Sequence, residues 1–393
     1  MNTSITARNE ASILGAVFLI ALNLRPAMAS LGPVLETLRT DLKLSHGAAG
    51  LLTTLPVLCM GLFAPLVLLL SERLGLKRAV LFSTLLIGGA TLLRGHGSFA
   101  SLWLSALGAG AGIAVLNPLL SMYVKQTFSS RSARVSSWTT SALCLGAAVS
   151  AGSSAILARY FGWPQALACW SMLAFTAAAL WWRTIPDTLP LPVHRAGRTL
   201  PWRQPRAWLL VLVFGLHGMV FYVLLAWLAP AYVEYGMSPA DAGHLLGLFA
   251  LMQVTGTLLV SALPHLQRER RPALLLSGGA TLAGLIGLWL VPLFVPQLWM
   301  CLLGAGTAGL FALTLILPLD YTESPTAAGA WTAMMCGGGY VIAAAGPVLA
   351  GWVRDHSDSY HSVFMLLTVT SAVVFGCCTL LTPVTRSEPA HAL

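Results

Sequence analysis

Charged residues are scarce in this chain, and acidic residues are the scarcest of them. Asp, Glu, Lys and Arg together make up 9% of the 393 residues, and only 13 residues are acidic. A soluble protein carries about 25% charged residues. The chain is also 57% hydrophobic, with a mean hydropathy of +0.78, which excludes the soluble class and predicts an integral membrane protein.

Motifs of enzymes, pumps and metal sites are lacking as well. The sequence contains no Walker A, HExxH or GxSxG pattern, so we expect no enzymatic activity and no cofactor or metal ion. Its seven cysteines form no CxxC or Cys/His spacing and are interpreted as small apolar residues. The polar residues 1–10 lead directly into an apolar segment, and we expect no cleavable signal peptide.

Long apolar segments dominate what is present. They are about 20 residues long, rich in Leu, Ala and Gly, and do not alternate, which favours membrane helices over a barrel. The sequence therefore predicts an all-α membrane protein with twelve transmembrane helices. The segments are 11–38, 47–70, 78–93, 101–124, 135–158, 164–182, 207–233, 240–263, 272–291, 297–319, 326–350 and 361–382.

A proline-rich, basic stretch divides the twelve segments into two sets of six. Residues 183–206 hold five prolines and are interpreted as a cytoplasmic linker between bundles 1–182 and 207–393. The motif 107–112 in segment four, LGAGAG, is echoed by 303–309 in segment ten, LGAGTAG, and both come fourth in their half. This repeat predicts two pseudo-symmetric bundles, although small-residue patterns also recur by chance in membrane helices.

The Lys and Arg residues predict the orientation in the membrane. With the N-terminus inside, 16 of the 22 fall on the inner side, and Arg25 lies within a segment. The five on the other side are Arg39, Lys43, Arg94, Arg159 and Arg354. This asymmetry predicts both termini in the cytoplasm. It also explains the net charge of +9 without a nucleic-acid partner.

Arg25 is the one Lys or Arg that lies neither in a loop or tail nor at the end of an apolar segment. An Arg at the centre of a bilayer costs roughly 2.5–3.5 kcal/mol on insertion scales. No Asp or Glu lies deep in a segment to neutralise it, so the partner is interpreted as the substrate. Asn23 beside it is a further binding candidate. Alternatively, Arg25 bonds to carbonyls freed by Pro26 and Pro33 and only braces the bundle.

Other polar and aromatic residues within segments are weaker candidates for the same substrate site. His217 lies in segment seven at a position pseudo-equivalent to Arg25, and is either a ligand or a neutral His bonded to a neighbouring helix. Asn117 precedes Pro118 in segment four, and is either a ligand or a bond between helices. Gln253, Tyr222 and Trp138 complete the candidate set, with plain packing as the alternative for the aromatic pair.

The loop between segments two and three carries the first resemblance to a known family. Residues 71–78 read SERLGLKR, an acid-basic-x-Gly-x-basic-basic pattern. This pattern resembles the cytoplasmic loop signature of the major facilitator superfamily, which usually has Asp where this chain has Glu72. The resemblance implies an inward gate latched by this loop. The residues that take this role are Glu72, Arg73, Gly75, Lys77 and Arg78. The alternative is ordinary positive-inside charge.

A closer resemblance covers most of the chain. Residues 22–26 (LNLRP), Gly32-Pro33, 51–56 (LLTTLP), 226–230 (AWLAP) and Leu319-Asp320 are similar to the cyanate/2-nitroimidazole transporter group of that superfamily. The resemblance implies twelve helices, the bacterial inner membrane and a small planar nitrogen-containing substrate such as cyanate.

We therefore expect a secondary transporter, acting as a monomer in the lipid bilayer, that moves a small planar anionic or polar solute by alternating access. An Arg fork suits planar oxyanions. The scarcity of buried acids argues against proton coupling; if coupling exists, His217 or Glu36 must carry it. The alternatives are a drug exporter of the same fold and a membrane sensor that binds a ligand without moving it.

Overall fold

The computed structural model describes residues 7–63, 66–128, 131–186, 200–262, 270–322 and 324–381. These residues are almost entirely helical. In chain order the helices are α1 Ala7–Asn23, α2 Pro26–Ala29, α3 Leu35–Asp41, α4 His46–Leu62, α5 Leu66–Leu92, α6 Phe99–Thr127, α7 Ser132–Phe161, α8 Trp163–Ala168, α9 Ser171–Thr184, α10 Pro205–Glu234, α11 Pro239–Ala262, α12 Arg270–Leu290, α13 Pro296–Asp320, α14 Pro325–Ser357 and α15 Tyr360–Leu380. Short 3₁₀ turns lie at Gly32–Val34 and Leu93–His96.

The prediction of an all-α fold with twelve transmembrane helices is confirmed. Among the described residues, eleven helical stretches are long and apolar enough to cross a membrane, and α4 is a shorter apolar helix. Span 1 comprises α1 to α3, span 2 runs from α4 into the start of α5, and span 3 is the rest of α5. Spans 4 and 5 are α6 and α7, span 6 is α8 with α9, and spans 7 to 12 are α10 to α15. The linker residues 187–199 lie outside the described residues.

The helix packing has the pseudo-symmetry that the sequence repeat predicts. Span 1 packs on span 5 as span 7 packs on span 11, and span 2 packs on span 4 as span 8 packs on span 10. Spans 3 and 6 likewise correspond to spans 9 and 12. Two packed pairs join the halves, span 2 with span 11 and span 5 with span 8, and the same symmetry exchanges them. The fold is therefore two six-helix bundles that meet along two equivalent seams.

Span 1 is not a regular helix. The chain turns at Leu24-Arg25, resumes as one turn in α2, and breaks again before the 3₁₀ turn at Gly32. Pro26 and Pro33 cause these breaks, because each lacks the N–H that would bond to a carbonyl one turn earlier. A continuous helix would have placed Glu36 on the face of Arg25; the breaks assign Glu36 to α3 instead, where it pairs with Arg39 at 2.5 Å.

Glycines let the two halves approach closely at one end of the bundle. We call this the distal end, where α3 ends at Asp41 and α14 ends at Ser357; the terminal end is the opposite one, near Ala7 and Leu380. A Cβ on Gly50 of span 2 would lie 2.5 Å from the Pro347 carbonyl oxygen of span 11. A Cβ on Gly247 of span 8 would lie 3.1 Å from the Ala148 carbonyl oxygen of span 5. Both seams are therefore tightly closed at the distal end.

Arg94 is a buried cation that its position in the sequence did not predict. It follows apolar segment three and was assigned to the outer side, yet it is only 2% exposed. Its Nε donates to the Ser105 hydroxyl of span 4 at 2.8 Å, and its Nη1 has no hydrogen-bond partner among the described residues. The hydropathy pattern ends at this residue, but the polypeptide continues as a 3₁₀ turn that packs on α6 and α8.

Candidate functional site

The centre of the candidate site is the guanidinium of Arg25, at the break in span 1. Its Cζ lies 5.1 Å from the centroid of the Phe221 ring in span 7. Cys144, Tyr222 and Tyr340, in spans 5, 7 and 11, lie within electrostatic range of this charge. Both bundles thus contribute to the surroundings of this one cation, near the middle of their helices.

No carboxylate of the described residues forms an ion pair with Arg25. The acidic groups that do form described ion pairs lie near the ends of the spans, as in the pairs Glu10–Arg131 and Glu234–Arg354. Arg25 is partly exposed, whereas Asn23, Leu24, Pro26 and Ala27 around it are buried. A guanidinium that water reaches, but that no fixed anion neutralises, can bind a mobile anion.

Two phenols within electrostatic range of Arg25 can add hydrogen-bond donors. The hydroxyl of Tyr222 donates to the Met60 thioether at 3.6 Å, which is a weak acceptor that a ligand oxygen can replace. Tyr340 is held by the ring of Phe214, with the centroids 5.2 Å apart, and it stays partly exposed. With the Phe221 face, these groups form a donor-rich, aromatic surface suited to a flat, electron-rich solute.

Access to Arg25 from the distal end is closed. The void on that side, lined by Met28, Leu52, Thr53, Pro56 and Tyr222 among others, offers about 10 Å³ to a water molecule. That is the room one water needs, and the void does not include Arg25. The distal side therefore offers no channel to Arg25 wider than about one water molecule.

His217 and Gln253 lie one helical turn from the aromatic residues of the site. His217 precedes Phe221 by four residues in span 7, and Gln253 follows Phe249 by four in span 8; the two phenylalanine rings are 6.0 Å apart. His217 is 2% exposed and interacts with the backbone carbonyl of Thr307 in span 10. Such a contact favours the helix-bracing alternative without testing it. A ligand role for either residue stays a prediction.

The remaining predicted binding residues lie in different environments. Asn23 is buried, and its Nδ2 has no hydrogen-bond partner among the described residues. Asn117 is partly buried, and its backbone carbonyl accepts from the Ser121 hydroxyl at 3.2 Å. Trp138 is 52% exposed and lies on a different face of α7 from Cys144. No described contact joins Asn117 or Trp138 to Arg25, so their substrate contact also stays a prediction.

The predicted gating loop turns at Gly75, which has a φ of +77° that favours glycine. Lys77 is nearly buried, with its Nζ 4.6 Å from the centroid of the Trp182 ring in the same half. Glu72, Arg73 and Arg78 are exposed. The structure thus explains the glycine of the motif, while the latch between this loop and neighbouring helix ends stays a prediction.

Phe221 and Tyr340 are site residues that the sequence did not single out. Phe221 is one of several aromatic residues in an apolar helix. Nothing in the surrounding sequence distinguishes it from residues that only pack against neighbouring helices. Tyr340 follows a run of three glycines, a pattern typical of closely packed membrane helices. Its spacing of 118 residues from Tyr222 carries no signal that the two rings share a site.

Gly146 is the residue that allows span 5 to lie against the broken span 1. A Cβ at this position would lie 2.1 Å from the backbone carbonyl oxygen of Leu22, which precedes Pro26 by four residues. We expect Gly146→Ala to destabilise the protein by about 1–3 kcal/mol, the usual cost of overpacking. Thermal unfolding in detergent measures this change. Gly15→Ala is the matched control, because its Cβ meets no atom within 4 Å; an equal effect of both changes would contradict the prediction.

Comparison with known proteins identifies relatives over nearly the whole chain. The sequence profile of the Major Facilitator Superfamily matches residues 16–344 and 234–392. The cyanate transport protein CynX of Escherichia coli K12 is 35% identical over 353 residues, which cover 88% of this chain and 91% of that protein. A 2-nitroimidazole transporter of the same organism is 30% identical over 390 residues, covering 96% and 97%.

Solved structures share the architecture. An inward-facing, occupied bacterial homologue of the lysosomal transporter Spinster superposes with a TM-score of 0.78, covering 98% of this chain and all of that one at 15% identity. A D-xylose–proton symporter gives a TM-score of 0.76 at 15% identity, covering 95% and 98%. At such identities the likeness concerns the fold alone.

Proposed function

This chain belongs to the Major Facilitator Superfamily, and from that membership we propose that it moves a small planar anionic or polar nitrogen-containing solute, cyanate-like in chemistry, across the bacterial inner membrane. Its relatives and its fold are those of transporters. The proposed mechanism is alternating access, in which two six-helix bundles, 1–182 and 207–393, rock about a central site while residues 183–206 link them.

The observation that carries this proposal is the state of Arg25. Arg25 is partly exposed, its guanidinium lies over the Phe221 ring of the other bundle, and it has no carboxylate partner among the described residues. Burying a cation in a membrane protein without a fixed counter-ion is costly, and a bound anion offsets that cost. An anion that binds there contacts both bundles, so its binding can favour their closure around it.

The proposed orientation places both termini in the cytoplasm. It is supported by the 16 Lys and Arg residues assigned to the terminal side against five on the distal side. The distal end is then extracytoplasmic, and its closed seams at Gly50 and Gly247 leave the site accessible from the cytoplasm. We propose that the described conformation is the inward-facing one.

A flat nitro-substituted heterocycle is the second candidate substrate. Phe221, Tyr222 and Tyr340 give the site three aromatic rings, which is more than a linear triatomic anion can use. Such rings stack favourably on a planar heterocycle, while Arg25 and the phenols bind its nitro oxygens. The similarity to a 2-nitroimidazole transporter supports this alternative within the same fold.

The deciding experiment measures uptake into proteoliposomes. We expect radiolabelled cyanate or 2-nitroimidazole to enter liposomes that hold the protein and to be released by excess unlabelled solute. Protein-free liposomes give the background. The same solutes should raise the unfolding temperature of the purified protein, since a ligand that binds only the folded state stabilises it.

Each alternative has its own outcome in that experiment. If a solute stabilises the protein but is not taken up, the protein is a ligand sensor and not a transporter. If many unrelated hydrophobic compounds inhibit uptake and planar anions do not, the protein is a drug exporter. Arg25 would then not bind the substrate.

A further inference from the structure

A cluster of ionisable side chains closes the distal end of the seam between spans 2 and 11. His46 is the first residue of α4, and its Nδ1 lies 2.7 Å from Oδ1 of Asp355 in α14. Asp355 also accepts the backbone N–H groups of His46 and Gly47, at 2.9 and 2.8 Å. The carboxylate therefore caps the helix of one bundle from the other bundle, 309 residues away.

A second carboxylate faces the other nitrogen of the same imidazole. Oε2 of Glu36 lies 3.9 Å from Nε2 of His46, and Glu36 is itself held by Arg39. When His46 is neutral and its Nδ1–H donates to Asp355, Nε2 presents a lone pair towards a carboxylate. A proton on Nε2 replaces this repulsion by an attraction, so each nitrogen then faces an acceptor.

Further charged groups lie around the cluster. Arg354 lies beside Asp355 in span 11, pairs with Glu234 at 2.7 Å and lies 3.7 Å from Asp358. Its Cζ is 5.3 Å from the ring of Tyr360, and that ring is 6.2 Å from His46. Four carboxylates and two guanidiniums thus leave the cluster net negative while His46 is neutral.

We propose that the cluster of His46, Asp355 and Glu36 is a proton-binding site of the distal gate, in which protonated His46 holds the two bundles together. This proposal rests on the transport function proposed above. The bond that a proton strengthens joins the two bundles, and hydrogen bonds between charged groups are roughly twice as strong as neutral ones. Acid on the distal side therefore favours the state that is open at the terminal end.

The proton at this site is a regulator and not a coupled cargo. The His46 side chain is 12% exposed at the closed distal end and Asp355 is 25% exposed, so the solvent of that side reaches the pair. When the bundles separate at this end, His46 faces the same solvent. A proton that exchanges with one compartment in both states shifts the equilibrium between them but does not cross the membrane.

The test measures the distance across the distal end in lipid nanodiscs. Spin labels on unnatural amino acids at the exposed positions 40 and 357 leave the native cysteines in place. Between about pH 8 and pH 5.5, the range in which histidine ordinarily titrates, we expect the ratio of short to long distances to rise about tenfold. In His46→Gln the ratio should not change with pH, and in His46→Arg the short distance should dominate throughout.

His356→Gln is the matched control. This histidine lies at the same end of α14, but its Nδ1 is 2.8 Å from the Trp352 carbonyl of its own helix and bridges no bundles. It should keep the wild-type response, and Asp355→Asn should lose it. A pH response that persists in both His46→Gln and Asp355→Asn would overturn the proposal. The measurement needs no substrate, so its result stands whether or not the uptake experiment succeeds.

Discussion

Arg25→Ala is expected to weaken the binding of planar anions roughly 100-fold and to abolish their uptake at low solute concentration. The estimate takes the low end, about 1.5 kcal/mol, of the value for a hydrogen bond to a charged group, and a bidentate contact supplies two such bonds. Arg25→Lys should recover part of the loss, because it keeps the charge and loses the fork. Initial uptake rates and ligand-induced shifts of the unfolding temperature measure both effects.

Arg159→Ala is the control for this prediction, since Arg159 is exposed at the distal end of α7. It should leave uptake and binding unchanged. Unfolding temperatures without ligand separate a binding defect from misfolding, because Arg25 contacts Phe221 as well as any solute. If Arg25→Ala binds cyanate and 2-nitroimidazole like the wild type, Arg25 is only a brace and the proposed chemistry is wrong.

Gly50→Val is expected to stop transport while leaving a folded protein that still binds its solute. The first atom of the new side chain would lie 2.5 Å from the Pro347 carbonyl oxygen, and the backbone there cannot move aside cheaply. Overpacking of this kind costs about 1–3 kcal/mol. Because the contact exists only while the distal end is closed, the cost falls on one conformation, and the population shifts towards the state that is open at that end.

Distances between spin labels across the distal end measure the shift in Gly50→Val, and counterflow measures the loss of transport. Gly89→Val is the matched control in span 3, because a Cβ at Gly89 meets no atom within 4 Å. Gly247→Val, on the second seam, should act in the same direction as Gly50→Val. Normal transport in both seam variants would contradict the assignment of these glycines to a moving interface.

Hydropathy predicted most of the fold, because it acts locally. The twelve spans follow from the length of each apolar run. The break in span 1 was not predicted, although the missing N–H groups of Pro26 and Pro33 explain it. The sequence identified Arg25 as a candidate for a similar local reason. A lone charge in an apolar run costs free energy whichever helices surround it.

Contacts between distant parts of the chain could not be predicted in this way. His46 and Asp355 lie at the ends of apolar runs and resemble ordinary interfacial residues until the two bundles meet. Tyr340 and Phe221 are aromatic residues in apolar helices, and only the packing of spans 1, 7 and 11 brings them to Arg25. The burial of Arg94 could not be predicted either, because the apolar run ends at this residue while the chain continues into a packed 3₁₀ turn.

The bond between Arg94 and Ser105 constrains how the chain is assembled during synthesis. Span 3 ends at Arg94, whose side chain is buried inside the protein. Its acceptor, Ser105, lies only eleven residues further along the chain, in span 4. A single helix that carries this charge inserts into the bilayer core only at a cost in free energy. Spans 3 and 4 are therefore expected to leave the translocation channel together, as a hairpin in which the Ser105 hydroxyl already accepts a hydrogen bond from Arg94.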